Sequence, residues 1–307
     1  MKIASKSARS IRDGSALKSW SVLALAVLAV FCGAAPASAD PILGSTLASF
    51  AVLGSSDVTC VPTCVIGGNV GSFPTAPTAL LTDFSFSFGT LQPGGEGLAQ
   101  TQLTAAILAV NASGPGTTVS GGNLDAFQAL QTGSVIAPGT YTVPYALTNL
   151  VGNLILDGGG SNTAVWNFLA SSSLITSNGS NVLVQNVGDG AGVGIYWTVG
   201  SGGGATLNGD TFLGNVMAAA FISSDGGLTL SCGRLMSDTA NVTLIGDTIS
   251  GLCTGNVVTG GGGENVASSG GFDQAGGGGG QTVPEPATLA LLGLGLAGLG
   301  FARRRHG

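Results

Sequence analysis

The chain has 307 residues and a formal net charge of −6, and charged residues make up only 8% of it. Between Asp40 and Thr282 the single basic residue is Arg234, set against 13 acidic residues, which excludes nucleic acid as a partner because its phosphates require many lysines and arginines. The one histidine is His306, so this segment offers no imidazole for a triad, a general base or a zinc site. We predict no enzyme activity, no metal and no cofactor.

The N-terminus has the three parts of a secretory signal peptide. Residues 1–18 carry five positive charges, residues 20–31 are apolar, and Ala37-Ser38-Ala39 forms a small-residue cleavage site. We therefore predict a signal peptide over residues 1–39, and an exported chain that begins at Asp40.

The exported body, residues 40–255, has a composition typical of a β-rich fold with tight turns. The whole chain contains 54 glycines but is 44% hydrophobic, which favours a packed core over disorder. One stretch differs, because residues 96–112 place apolar side chains at helical spacing and Gly114-Pro115 follows as a stop signal. The pattern predicts one amphipathic helix with this buried face: Ala99, Leu103, Ala106, Ile107 and Val110.

Short strands separated by Gly, Asn and Asp turns make up the rest of the body. The predicted strands include residues 153–156, 181–185, 195–199 and 241–244. A repeat is also present, since Thr211, Thr229 and Thr248 follow similar phrases at spacings of 18 and 19 residues. Such a period, with three short strands per turn, predicts a β-solenoid in which these threonines stack on one face at about 4.8 Å.

Four cysteines remain after removal of the signal peptide: Cys60, Cys64, Cys232 and Cys253. An even number in an exported protein favours two disulfides. We expect local pairing, Cys60–Cys64 and Cys232–Cys253. A metal site is the alternative, and the lack of histidine and the spacing of the first pair argue against it.

Three aromatic residues, Trp166, Tyr196 and Trp197, could form a sugar-stacking platform. They lie in predicted strands, where inward-facing aromatic side chains belong to the core. Because side chains alternate along a strand, one of the adjacent Tyr196 and Trp197 must point outward. We predict Trp166 in the core.

The order of phrases along the body resembles the ice-binding-like domain family. That family folds as an irregular right-handed β-solenoid of triangular section with one long α-helix packed alongside, and the resemblance implies this fold here. It also implies adsorption to ice through a flat, regular face, on which threonine methyl and hydroxyl groups have fixed spacing. The resemblance rests on these segments: residues 43–45, 50–53, 66–71, 99–103, 136–141, 154–158, 164–168, 196–200, 211–218, 233–235 and 242–244.

Active members of that family carry Thr-Ala/Gly-x-Thr/Asn units on successive coils, and this chain keeps them only in part. Thr176 retains the leading threonine, whereas three later units keep the glycine and the last threonine. Asp210 and Asp247 would disturb the face if they pointed outward, although turn chemistry is the favoured interpretation for both. The predicted ice or ligand face comprises Thr176, Asn178, Asn208, Gly209, Thr211, Gly227, Thr229, Gly246 and Thr248.

The C-terminal segments indicate sorting to the cell exterior. Residues 256–282 form a glycine-rich linker. Residues 283–307 contain Pro284-Glu285-Pro286, an apolar run, and Arg303-Arg304-Arg305. This tail resembles the PEP-CTERM sorting signal of Gram-negative bacteria. The resemblance implies transient anchoring in the inner membrane and processing by an exosortase-type enzyme, with the arginines on the cytoplasmic side.

Two functional hypotheses follow from these features. The first is an exported protein that adsorbs weakly to ice through a threonine-bearing face. The second is a surface or extracellular-matrix structural protein, or an adhesin, associated with exopolysaccharide or biofilm. The predicted partner is ice or extracellular polysaccharide. A broad, uncharged Thr/Ser/Ala face favours ice, and a face interrupted by aspartate favours the matrix protein or an unknown ligand.

Overall fold

The computed structural model of the chain describes residues 42–187, 192–200 and 202–251. The predicted signal peptide, Cys253, the linker and the sorting tail lie outside the described residues. Within the described ranges, no helix is both long enough and apolar enough to cross a membrane.

The body is a parallel β-solenoid whose strands line three faces, which we name A, B and C. Two long strands, β15 (Thr211–Ala218) and β17 (Thr229–Ser237), turn a corner and join faces A and C in one 13-stranded sheet, while face B is a separate 6-stranded sheet. All the strand ladders are parallel, as expected when each coil stacks on the previous one. The mostly β fold with one long helix is therefore as predicted.

The remaining strands divide among the three faces as follows. Face A contains the C-terminal halves of β15 and β17 with β1 (Phe50–Gly54), β4 (Asn69–Ser72), β6 (Thr117–Thr118), β7 (Gly139–Val143), β10 (Val165–Ala170) and β13 (Gly194–Val199). Face B contains β2 (Val58–Cys60), β8 (Leu147–Leu150), β11 (Ser173–Thr176), β14 (Ala205–Leu207), β16 (Ile222–Ser224) and β18 (Val242–Leu244). Face C contains the N-terminal halves of β15 and β17 with β3 (Cys64–Gly67), β5 (Phe84–Phe88), β9 (Asn153–Asp157), β12 (Asn181–Gln185) and β19 (Thr248–Ser250).

Alternating side chains fill the interior of the solenoid. Along β10, for example, buried and half-buried residues alternate without exception. Aromatic rings form a continuous stack inside: the Phe168 and Trp197 ring centroids are 4.0 Å apart, and Tyr141 and Phe212 extend the stack on either side. Both clusters of buried apolar side chains lie between Leu43 and Ile249, so the segment 40–282 carries this core complete.

Helix α1 (Gly97–Asn111) packs against face A and confirms the predicted helix. Four of the five predicted apolar positions are buried, and Ile107 is half-buried. Its polar side chains also reach the sheet, since Gln100 Nε2 donates to the carbonyls of Ser237 and Asp238 at 3.1 and 2.8 Å. Face A is therefore covered. The second α-helix, α2 (Leu124–Gln128), lies at one end of the solenoid against β8 and β9.

All three predicted platform residues, Trp166, Tyr196 and Trp197, are buried, and the position of α1 over face A explains this for Tyr196. Trp166 and Trp197 point inward and are buried, and their indole N–H groups donate to the carbonyls of Ile136 and Leu213. Tyr196 points out of the solenoid, but it packs in the cluster beneath α1 and is buried there. The three rings therefore do not form an exposed sugar-stacking platform.

Arg234 fixes the segment that precedes β1. Its buried guanidinium donates to the Ala48 carbonyl from Nε and Nη2, at 3.1 and 2.9 Å, and to Asn215 Oδ1 from Nη1 at 2.9 Å. These hydrogen bonds tie the short 3₁₀ turn Leu47–Ser49 to face A. The one basic residue between Asp40 and Thr282 thus has a structural role.

A disulfide joins Cys60 to Cys64, as predicted, and clamps the corner between β2 on face B and β3 on face C. Cys232 is also disulfide-bonded. Its predicted partner, Cys253, lies outside the described residues.

Candidate functional site

The predicted threonine column is present on face C. Thr211 is in register with Thr229, and Thr229 with Thr248, on three successive strands. Thr229 and Thr248 are exposed and Thr211 is half-buried. The predicted stacking is confirmed, while the role of this column, which we call the face C column, stays a prediction.

Two members of the predicted face are not at the surface. Thr176 is 0% exposed, because it lies two residues after the inward-facing Leu174 and therefore also points inward. Its hydroxyl accepts a hydrogen bond from the Gly209 N–H at 2.9 Å, and Gly209 is buried as well. The prediction that Thr176 and Gly209 belong to a contact surface is therefore wrong.

The other predicted members lie in the turns between faces B and C. Gly227 and Gly246 are exposed, with φ values of 77° and 60°, in the left-handed region that favours glycine. Asn178 is exposed and Asn208 half-buried. At these two positions the glycine before threonine is thus a turn requirement.

Asp247 points inward and does not disturb the face C column. It is fully buried, and its carboxylate accepts hydrogen bonds from the Ser224 hydroxyl and from the N–H groups of Leu228 and Ile245, the latter two at 3.0 and 3.1 Å. Asp210 is exposed, and its carboxylate accepts from the Gly179 N–H at 3.3 Å. Asp247 binds the Ile245 N–H in its own turn, which confirms the turn interpretation for Asp247, whereas Asp210 binds a turn of the neighbouring coil.

The environments of two aspartates predict a maximum in stability near the ordinary aspartate pKa of 3.8. Burial raises the pKa of Asp247 above this value, against the hydrogen bonds it accepts. Burial acts in the same direction on Asp157, but hydrogen bonds from Gly159 N–H, Gln185 and Asn186 outweigh it and lower its pKa. The folded chain thus binds the Asp247 proton more tightly than the unfolded chain, and the Asp157 proton less tightly.

The free energy of unfolding therefore has an ascending limb with pH, due to Asp157, and a descending limb, due to Asp247. As the pH rises towards 3.8, ionisation of Asp157 increases the free energy of unfolding; above 3.8, ionisation of Asp247 decreases it until its raised pKa is passed. Urea unfolding of the wild type and of Asp247→Asn across this range tests the assignment. The descending limb should be absent from the variant, and an unchanged limb would contradict the role of Asp247.

Face B carries a second column, which the sequence analysis missed. One outward position is shared in register by six strands, in the order Asn149, Ile175, Thr206, Ser223, Thr243 and Thr59. Four consecutive members carry hydroxyls, and all four are partly exposed. With about 4.8 Å between neighbours, these hydroxyls span roughly 14 Å. We call the four residues Thr59, Thr206, Ser223 and Thr243 the face B column.

Exposed apolar side chains lie beside the face B column. Leu147 and Ile175 belong to face B strands, Phe221 directly precedes β16, and Ile245 directly follows β18. Asp225 is an exposed charge at the corner beyond β16, but none of the six residues in register at this outward position is charged. Exposed apolar patches of this kind mark contact surfaces in soluble proteins.

The sequence did contain a signal for this column. Three of its threonines lie between two buried side chains, in Val58-Thr59-Cys60, Ala205-Thr206-Leu207 and Val242-Thr243-Leu244. Such triplets mark the centre of a three-residue strand with one outward position. They are too short to distinguish from chance without knowledge of the register.

Catalytic and metal-binding chemistry finds little support in the part of the chain that the structure describes. A cavity of about 230 Å³ lies beside the C-terminal end of α1, and no titratable side chain lines it. No cluster of three or more His, Cys, Asp or Glu side chains that could hold a metal is present among the described residues.

Comparison with known proteins decides the family. Residues 52–250 match the model of the ice-binding-like family. The chain belongs to the ice-binding-like family. Residues 282–305 match the PEP-CTERM protein-sorting motif, so this ice-binding-like chain also carries that motif.

Individual relatives agree with the family assignment. The chain is 29% identical over 292 residues to an ice-binding protein of Nostoc sp. (strain HG1), which covers 93% of this chain and 94% of that protein. The crystal structure of an ice-binding protein from the Antarctic ascomycete Antarctomyces psychrotrophicus is similar with a TM-score of 0.55 and 26% identity, covering 68% of this chain and 97% of that one. A glycosylated ice-binding protein from an Arctic yeast, at 18% identity, has the same fold with a TM-score of 0.54 over 69% of this chain and 94% of that one.

Proposed function

We propose that this protein adsorbs to ice from outside the cell, through the face B column and the apolar side chains beside it. The observation that carries the proposal is the run of four hydroxyl residues in register, Thr59, Thr243, Ser223 and Thr206. Parallel strands fix their spacing before any contact is made, so binding a regular water lattice has little ordering cost. The proposal gives these side chains no catalytic role.

Face B is chosen because face A is covered and face C has fewer hydroxyl residues in register. Face A is covered by α1 and by the segment that precedes β1. Face C has three threonines in register, with the exposed carboxylate of Asp210 directly before the first of them. Face B has four hydroxyl residues in register against three on face C. Exposed apolar side chains, which release water on contact, lie on both faces, for example Ile175 on face B and Val65 on face C. The face C column is the competing site.

Modest activity is the expected consequence of the composition of face B. Asn149 and Ile175 replace hydroxyl residues on the last two of its six strands, and Asp225 carries a charge at its corner. A charged carboxylate retains its own hydration shell, which resists incorporation into an ice-like layer. We therefore expect measurable inhibition of recrystallisation and a small thermal hysteresis.

The location is part of the proposal. A signal peptide over residues 1–39 and the PEP-CTERM motif together support export, transient anchoring in the inner membrane, and processing by an exosortase-type enzyme. The product would act at the cell surface or in the surrounding medium of a Gram-negative bacterium. Adsorption to external ice requires such a location.

A second candidate function rests on the sorting motif. It is a surface or matrix protein that binds extracellular polysaccharide, because the resemblance to the PEP-CTERM signal implies a sorting system that goes with exopolysaccharide production. The uncharged, partly apolar face B could equally contact sugar rings. This candidate requires no activity on ice.

The experiment compares the two candidates on the segment 40–282, which contains both apolar clusters of the described residues. Inhibition of ice recrystallisation and thermal hysteresis are measured on the folded protein and on the same sample after irreversible heat unfolding. Activity only in the folded sample supports adsorption to ice. A folded sample without activity in either assay would overturn the proposal, and retention on immobilised exopolysaccharide would then support the second candidate.

A further inference from the structure

The two ends of the solenoid differ in how their strand edges are protected. At the α2 end, the backbone of β9 is covered by hydrogen bonds from Ile136 N–H to the Ile155 carbonyl at 2.8 Å and from Gln128 Nε2 to the Asn153 carbonyl at 3.1 Å. The Asp125 carboxylate accepts from the Val151 N–H at 2.9 Å, next to β8. This end is therefore capped by side chains and by backbone.

The opposite end terminates in β5, which pairs with β3 on one side. Among the described residues, no strand pairs with its other side. The sequence Phe84-Ser85-Phe86-Ser87-Phe88 contains no charge and no proline, two of the features with which proteins protect an edge strand. A register shift after Phe86 interrupts the ladder, so residues 84–86 form the regular part of this edge.

An exposed apolar patch lies beside the same edge. It consists of large side chains in β3, in β5 or in the segments that lead directly into them: Val61, Val65, Leu80, Leu81 and Phe88, which are between 41% and 70% exposed. The nearby Asp83 carboxylate accepts a hydrogen bond from the Leu80 N–H at 2.7 Å. An apolar patch of this kind marks an interaction surface.

We propose that a second copy of the chain covers this end, and that the two copies pair β5 with β5 in antiparallel fashion about a twofold axis at Ser85. The axis places Phe84 of each copy opposite Phe86 of the other and Ser85 opposite Ser85. The sequence around Ser85 is thus self-complementary, which favours a second copy over an unrelated chain. Face C would continue from one copy into the next.

The capped end limits the assembly to two copies. An uncapped solenoid could stack head to tail without closing, which produces filaments. At the other end, α2 and its hydrogen bonds cover β8 and β9, and face A ends in β6, whose two residues are fewer than the three of the regular β5 edge, so pairing through β5 closes after one contact. The proposal does not depend on ice binding.

Sedimentation velocity of the segment 40–282, measured over a range of concentrations, tests the proposal. The wild type should sediment as a dimer, and Ser85→Lys as a monomer, because the twofold axis would place the two lysines opposite each other. Leu81→Glu should also sediment as a monomer, because it places a charge in the exposed apolar patch beside β5. Leu130→Glu is the matched control, since Leu130 is 77% exposed and lies just after α2 at the capped end, and it should remain a dimer.

Ser85 and Leu81 are both exposed, so the variants should fold, and their circular dichroism and melting temperatures are measured beside the mass. A wild type that stays monomeric at its highest soluble concentration would overturn the proposal. So would dissociation by Leu130→Glu while Leu81→Glu remains a dimer. If the segment 40–255 dimerises and the segment 40–282 does not, residues 256–282 occupy the edge, and the second copy is the wrong occupant.

Discussion

Changing Thr206 and Thr243 together to lysine should remove most of the activity on ice. The two residues flank Ser223 in the face B column, so two charged ammonium groups would stand on either side of the central hydroxyl. Each lysine must lose part of its hydration shell to fit against ice, and every 1.4 kcal/mol of such cost lowers affinity about tenfold. Inhibition of ice recrystallisation, measured as the lowest effective concentration, reports the loss.

The chain offers a matched control on face C. Thr211 and Thr248 lie on the two strands next to that of Thr229, just as Thr206 and Thr243 lie next to Ser223. Their change to lysine therefore adds the same charge to the neighbouring face. This control pair should keep nearly the activity of the wild type. If the face C pair abolishes activity and the face B pair does not, the site lies on face C, as the sequence analysis predicted.

Trp197→Ala should lower the free energy of unfolding by about 3–5 kcal/mol. The Trp197 ring lies between Phe168 and Phe212, with centroids at 4.0 and 5.0 Å, and its N–H donates to the Leu213 carbonyl at 2.9 Å. Removal leaves a cavity within the stack and deletes the hydrogen bond to the Leu213 carbonyl, and both effects destabilise the fold. Urea denaturation with linear extrapolation measures the change.

Tyr145 provides the control for that variant, because it is an exposed aromatic residue outside the stack. Tyr145→Ala should change the free energy of unfolding by less than about 0.5 kcal/mol. A loss below about 1 kcal/mol for Trp197→Ala would contradict the packing of this ring in the stack, because burial of its apolar area alone stabilises the fold by more than that.

Features with a long or periodic pattern could be predicted from the sequence. Helix α1 shows its apolar face over four turns, and the repeat at 18–19 residues matches one coil, so the helix and the stacking of Thr211, Thr229 and Thr248 are both confirmed. The pairing of Cys60 with Cys64 was predictable for a similar reason, since their proximity in sequence favours closure of a local loop.

Features that depend on the packing of α1, on the inward or outward direction of a single side chain, or on strand register could not be predicted. Tyr196 points outward from its strand, and only the position of α1 over face A makes it buried. The inward direction of Thr176 follows from the alternation that begins at Leu174, but the family motif suggested a surface position instead. Face B has strands of only three or four residues, so Thr59 and Thr206 became neighbours of Thr243 and Ser223 only once the register was known.

The most direct test of the central claim is the partition of the labelled segment 40–282 between a growing single crystal of ice and the surrounding liquid. Adsorption through the face B column predicts that the wild type is incorporated into the ice, while the Thr206→Lys/Thr243→Lys variant is excluded and stays in the liquid. Exclusion of the folded wild type to the same extent as a non-binding protein of similar size would contradict the claim.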